Sequence, residues 1–214
     1  HPLSKGLTKF MDPSVRRPRI GIRGSKAISM LKHLRRNGRS NLADAFRVCR
    51  QFALRCGSEL LRFRTVIINQ ASKTVTIRTQ RKTSGGLLVD VCRECVCTKQ
   101  HPELCGVCTL IRMNSTDRAR TWFTNITYRE CLNGIRDAAR EMGWPDWAQL
   151  GTHSWRRGWA MDAFEHGGLV ACFAGGGWRS AAAWVYLQSQ QLGACDNVDF
   201  FNNFADSDSE DERV

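Results

Sequence analysis

Long apolar runs are missing from this 214-residue chain. No stretch approaches the ~18 consecutive apolar residues a membrane-spanning helix needs, so no span and no membrane partner are expected. Acidic residues are scarce ahead of the last nine positions. Residues 206–214 hold Asp206, Asp208, Glu210, Asp211 and Glu212 against one base, Arg213. The 205 residues before them carry 31 bases and 15 acids, a net +16 within a total of +12. Such a body suits a polyanionic partner, most simply nucleic acid, and disfavours a cationic one. Tyrosine occurs only as Tyr128 and Tyr186, which leaves two addresses for any phenol with a chemical role. The chain opens His1-Pro2-Leu3-Ser4-Lys5, with neither an initiator Met nor a signal-peptide pattern. It is expected to be part of a longer protein.

Apolar residues make up 42% of the chain, enough for a real core. Cysteine is abundant: five of ten lie within residues 92–108. That clustering points to a local metal or thiol site in a reducing compartment rather than a disulfide framework. Cys92, Cys95, Cys105 and Cys108 form two Cys-x-x-Cys pairs that can supply four thiolates to a structural zinc. Cys97 and His101 are competing ligands, and free or redox-sensitive thiols are the alternative. The expected role of a metal here is to staple an insertion beside a sheet.

In chain order, residues 1–24 read as a basic arm or linker broken by Gly and Pro. A helix is predicted from about Lys26 to Arg36, with Ile28, Leu31 and Leu34 inward and Asn37-Gly38 as its stop. A second is predicted from Ser40 or Asn41 to Cys56-Gly57, and a short helix from Ser58. Thr65–Ile68, Thr74–Ile77 and Leu87–Val91 predict a three-stranded antiparallel meander. Residues 110–126 look irregular. Thr127-x-x-Glu130 has the form of a capping box for a helix over Tyr128–Met142, ended by Gly143-Trp-Pro145. A helix from Ser154 to Glu165, a break at His166-Gly-Gly, a segment Leu169–Phe173 and a helix over Ser180–Gln191 follow. The fold class expected is α+β, mainly helical. The acidic tail 206–214 is expected to be disordered.

The chemistry-bearing residues come in the order Arg55, Lys82, His153-x-x-Arg156, Trp178, Tyr186. A His and an Arg three apart share a helix face. A guanidinium suits a phosphate because its planar fork donates two parallel hydrogen bonds, and a tyrosine hydroxyl is a covalent nucleophile when activated. Singly, each has a plainer role: Arg55–Glu59 as a structural ion pair, Lys82 as a solvated turn residue, His153 as a helix cap, Trp178 and Tyr186 as core aromatics.

Together the set resembles the tyrosine recombinases, the phage-integrase family of site-specific DNA strand-exchange enzymes. Leu54-Arg55-Cys-Gly-Ser-Glu59-Leu-Leu resembles that family's first-arginine segment. Lys82-Thr83 resembles its hairpin lysine, and His153-Ser-Trp-Arg156-Arg-Gly its His-x-x-Arg box. Gly-Gly-Trp178-Arg-Ser to Tyr186-Leu resembles its last two positions. The wording around Trp178 is most similar to recombinases of eukaryotic mobile elements, the DIRS-type and Crypton groups. The resemblance spans about residues 25–192, with 92–108 as a Cys-rich insertion. The Arg55–Glu59 gap is one residue longer than the family's usual form, and the family's N-terminal DNA-clamping domain is not represented.

The resemblance implies a catalytic set of Tyr186, Arg55, Lys82, His153, Arg156 and Trp178, supported by Glu59. Its substrate would be double-stranded DNA in the nucleus, with self-association as a dimer or tetramer. Neither ATP nor a catalytic metal is required, because the bond energy is kept in a phosphotyrosyl link. Residues 193–205, with the apolar patch Asp199–Phe204, would dock on a neighbouring subunit or fold back on their own core. The alternatives are a type IB topoisomerase-like enzyme, or a domesticated DNA-binding or interaction module without catalysis.

Overall fold

Apolar residues at helical spacing, then β-branched alternation, then helical spacing again, give helices, a small sheet and further helices in chain order. The computed structural model describes residues 20–63, 65–80, 87–116 and 122–176. These form α1 (Gly24–Arg36), α2 (Ser40–Gln51), a π-turn (Cys56–Leu60), β1 (Thr65–Asn69), β2 (Thr74–Gln80), β3 (Leu88–Glu94), α3 (Gly106–Asn114), α4 (Tyr128–Glu141) and α5 (Ser154–Gly176). The class is α+β, with an open three-stranded antiparallel sheet in the order β1-β2-β3.

Period-2 alternation turns Val75, Ile77 and Val91 inward, where they join the helical core. The outer face carries Arg78 opposite Asp90, held by two hydrogen bonds of 2.8 and 2.9 Å. In the helical part, Met30, Leu31 and Leu34 of α1 and Phe46, Val48 and Cys49 of α2 are fully buried. Trp155, in the first turn of α5, stacks on Phe46 with ring centroids 5.1 Å apart. Such a pair contributes ~0.5–1.5 kcal/mol beyond its area, and it seats the start of α5 on α2. On α4 the capping box is present in both directions: Thr127 accepts from the Glu130 N–H, and Glu130 accepts from the Thr127 N–H.

Several boundaries differ from the sequence expectation. The supposed linker is already structured by Ile22, which is buried and whose N–H donates to the Ser154 carbonyl at 2.8 Å. Helix α2 stops at Gln51, several residues ahead of Cys56-Gly57. Ala53 takes a left-handed φ of 50°, Leu54 N–H bonds back to Cys49, and Ala53 N–H to Arg50. This is a Schellman-type end with alanine where glycine usually marks it. Residues 106–114, partly expected to be irregular, form α3. Strand β3 runs to Glu94, so Cys92 sits in the ladder opposite Thr76. The expected break after His166 is found as a kink inside α5 at Gly167 and Gly168, the latter at φ 64°. Lys82, Trp178, Tyr186, the expected helix Ser180–Gln191, segment 193–205 and the tail 206–214 lie outside the described residues.

Candidate functional site

Two arginines far apart in sequence meet on one carboxylate. Arg55 lies in extended backbone just ahead of the π-turn. That turn closes with Leu60 N–H to Arg55 O at 2.9 Å and Leu61 N–H to Cys56 O at 3.0 Å, the i→i+5 pattern that holds one residue more than an α-turn. It brings Glu59 back onto Arg55: Oε1 accepts from Arg55 Nη1 and Oε2 from the Arg55 backbone N–H, both at 3.0 Å. The same Oε2 lies 3.5 Å from Nη1 of Arg156, on the first turn of α5. Arg156 also donates from Nη2 to the Gly176 carbonyl at 3.3 Å.

Glu59 is 0% exposed, Arg156 2% and Arg55 4%. The structure buries both guanidiniums and holds them on an internal carboxylate. Removing such charges from water is costly, and the pairing offsets that cost and fixes where the side chains lie. His153, half-buried, immediately precedes α5, and its carbonyl accepts from Arg157 N–H at 2.9 Å. The predicted Arg55, Glu59, Arg156 and His153 are therefore all described. Lys82, Trp178 and Tyr186 fall outside the described residues.

Tyr128, not assigned a role from sequence, lies beside this junction. Its hydroxyl accepts from Thr152 Oγ1 at 3.1 Å, and its ring edge would lie 3.1 Å from a Cβ placed on Gly57. It thus links the π-turn to the turn ahead of His153. Cys56, next to Arg55, is no competing nucleophile. A hydrogen bond with Cys131 and burial push its thiol well above its ordinary pKa, which keeps it protonated and inert.

A second constellation lies where β3 meets α3. The sulfurs of Cys95, Cys97, Cys105 and Cys108 lie within 4.8 Å of one another and could hold a metal. Cys97 takes the place sequence spacing gave to Cys92, because β3 continues through Cys92 and leaves its side chain exposed on the ladder. His101 is also outside the quartet; it caps the short turn at Pro102–Leu104, accepting from Glu103 N–H at 3.1 Å. The Cys97 backbone N–H and the neighbouring thiols hold Cys95 down at about 7, while burial lifts Cys97 to about 11. Burial raises Cys108 as well.

Gln51, at the end of α2, was also invisible in the sequence, because a lone amide has no motif. It donates from Nε2 to the Glu94 carbonyl at 2.7 Å and accepts at Oε1 from Val107 N–H at 3.0 Å. No helix among the described residues is long and apolar enough to cross a membrane. No family model matches this chain, and no curated protein or solved structure matches it either.

Proposed function

We propose that this chain is the strand-cleaving domain of a tyrosine recombinase, which breaks and rejoins duplex DNA through a 3′-phosphotyrosyl link during integration or excision of a mobile element. The observation that carries the reading is the Glu59 junction. Two arginines singled out separately as phosphate ligands share one buried carboxylate, and His153 stands one helical turn ahead of Arg156. The π-turn supports it further: the extra residue between Arg55 and Glu59 is absorbed without separating them.

In this reading the phosphodiester's non-bridging oxygens take hydrogen bonds from Arg55, Arg156, His153 and the Trp178 indole. Charge builds on those oxygens as the nucleophile attacks, and fixed donors in a low-dielectric setting stabilise it most. The Tyr186 oxygen bonds to phosphorus as its phenolic proton leaves to solvent. The bond to the 5′-oxygen breaks, and Lys82 protonates that oxygen. Reverse attack by a 5′-hydroxyl reseals the strand and releases the tyrosine. No ATP or catalytic metal enters. The partners are double-stranded DNA and further copies of the chain, acting in the nucleus.

A suicide DNA substrate, nicked so that the short fragment bearing the freed 5′-hydroxyl diffuses away, tests the reading. Wild-type protein should be trapped covalently, with the adduct mapped to Tyr186. Tyr186→Phe should bind DNA yet trap none. Arg156→Ala should cut the cleavage rate by ~10²–10³, the scale for one buried oxyanion donor. Tyr128→Phe should still trap. Binding without trapping by the wild type would leave a non-catalytic DNA-binding module. Relaxation of a plasmid lacking recombination sites would indicate a topoisomerase.

A further inference from the structure

We propose that Cys95, Cys97, Cys105 and Cys108 bind one zinc ion, and that this ion clamps the end of β3 and the start of α3 onto the last turn of α2. The sulfur geometry is the first support. Cys108 Sγ lies 3.5 Å from Sγ of both Cys95 and Cys97, and Cys105 Sγ lies 3.8 Å from Cys95 Sγ. A tetrahedron with zinc–sulfur bonds of about 2.3 Å has edges of about 3.8 Å. Disulfides need sulfurs at about 2.05 Å and pair them two by two. Here Cys108 approaches two partners and Cys95 two, which is the arrangement of a closed quartet.

The donor set selects the metal class. Four soft thiolates favour zinc over magnesium or calcium, which take oxygen ligands. Each thiol releases its proton to solvent on binding. The Cys108 backbone N–H donates to Cys105 Sγ at 3.4 Å, an outer hydrogen bond that orients this ligand sulfur.

The clamp follows from what the ligands are attached to. Cys95 directly follows β3, and its N–H donates to the Lys73 carbonyl at 2.9 Å in the turn ahead of β2. Cys105 caps α3. Between them, Gln51 bonds Glu94 on one side and Val107 on the other, and its own carbonyl accepts from Arg93 Nε at 3.1 Å. Gly106 sits so close to α2 that an added Cβ would meet Val48 Cα at 2.9 Å. The quartet therefore fixes two segments on the helix end that lies four residues ahead of Arg55.

Mass spectrometry of full-length protein purified without added zinc reads the metal content. One zinc per chain is expected in wild type and in Cys92→Ser, and none in Cys97→Ser. Should Cys97→Ser not fold, cobalt(II) titration of reduced, metal-stripped wild type decides. The visible bands of a tetrahedral cobalt thiolate should saturate at one equivalent. Zinc near zero with no cobalt bands overturns the site, as does zinc lost from Cys92→Ser but kept by Cys97→Ser. Hydrogen exchange with and without chelator tests the clamp: protection at the Val107 amide should fall at least tenfold on chelation, and unchanged protection overturns that part. None of these readings involves DNA, so their failure leaves the strand-cleavage proposal standing.

Discussion

Glu59 is the side chain on which the junction turns. Its two oxygens serve the Arg55 backbone, the Arg55 guanidinium and the Arg156 guanidinium, and none of the three residues is more than 4% exposed. Breaking a buried pair by removing one partner typically costs about 3–5 kcal/mol, because a desolvated charge is left uncompensated. Glu59→Gln keeps the shape and removes the charge. It should lower unfolding free energy by about that amount in a urea titration; a loss under ~1 kcal/mol would show that the carboxylate does not hold the two arginines. That Arg55 and Arg156 could share one site was legible in the sequence because motif wording picks out residue type and order, and both meet Glu59. The choice between Cys92 and Cys97 was not, since spacing does not say where a strand stops, and the ladder from Thr76 to Cys92 decides it.

At the scale of elements, legibility followed the strength of the local signal. Helix α4 was readable to within a residue because its capping box and apolar stripe agree. The meander was readable from its β-branched runs. The end of α2 was not, because Ala53 adopts the left-handed backbone where a glycine would have advertised the stop. Helix α3 was obscured because its first residues belong to the cysteine cluster and it is nine residues long, near the limit of periodicity reading. That helix meets α2 backbone to backbone at Gly106. A methyl there would come within 2.9 Å of Val48 Cα and 3.1 Å of the Arg47 carbonyl, neither able to rotate away. Gly106→Ala should therefore destabilise the protein by about 1–3 kcal/mol, the usual cost of overpacking, seen as a lower urea midpoint at unchanged slope.

For the whole molecule, the excess of basic residues ahead of residue 206 sets the physics of association. If the body lies along duplex DNA with six or more phosphate contacts, affinity should fall roughly 10³-fold or more between about 50 and 200 mM salt. Fluorescence anisotropy with a short labelled duplex measures it, and a flat salt response would remove DNA as the polyanion. The charge balance was readable from composition alone. Its arrangement was not: Arg47, Arg50, Arg55, Arg156 and Arg157 are all buried, so part of the positive charge organises the interior. Arg50, for example, pairs with Asp162, and α1 begins on the same carboxylate through the Gly24 N–H at 3.0 Å.

The Glu59 junction has a thermodynamic corollary for any anion that reaches it. Freezing a long, rotamer-rich side chain at a binding step costs roughly 0.5–1.5 kcal/mol. Arg55 and Arg156 are already immobilised by an acceptor that belongs to the chain itself. A ligand arriving there meets side chains whose entropy was surrendered during folding. Discrimination between phosphate and other anions would then come from the match to a rigid fork.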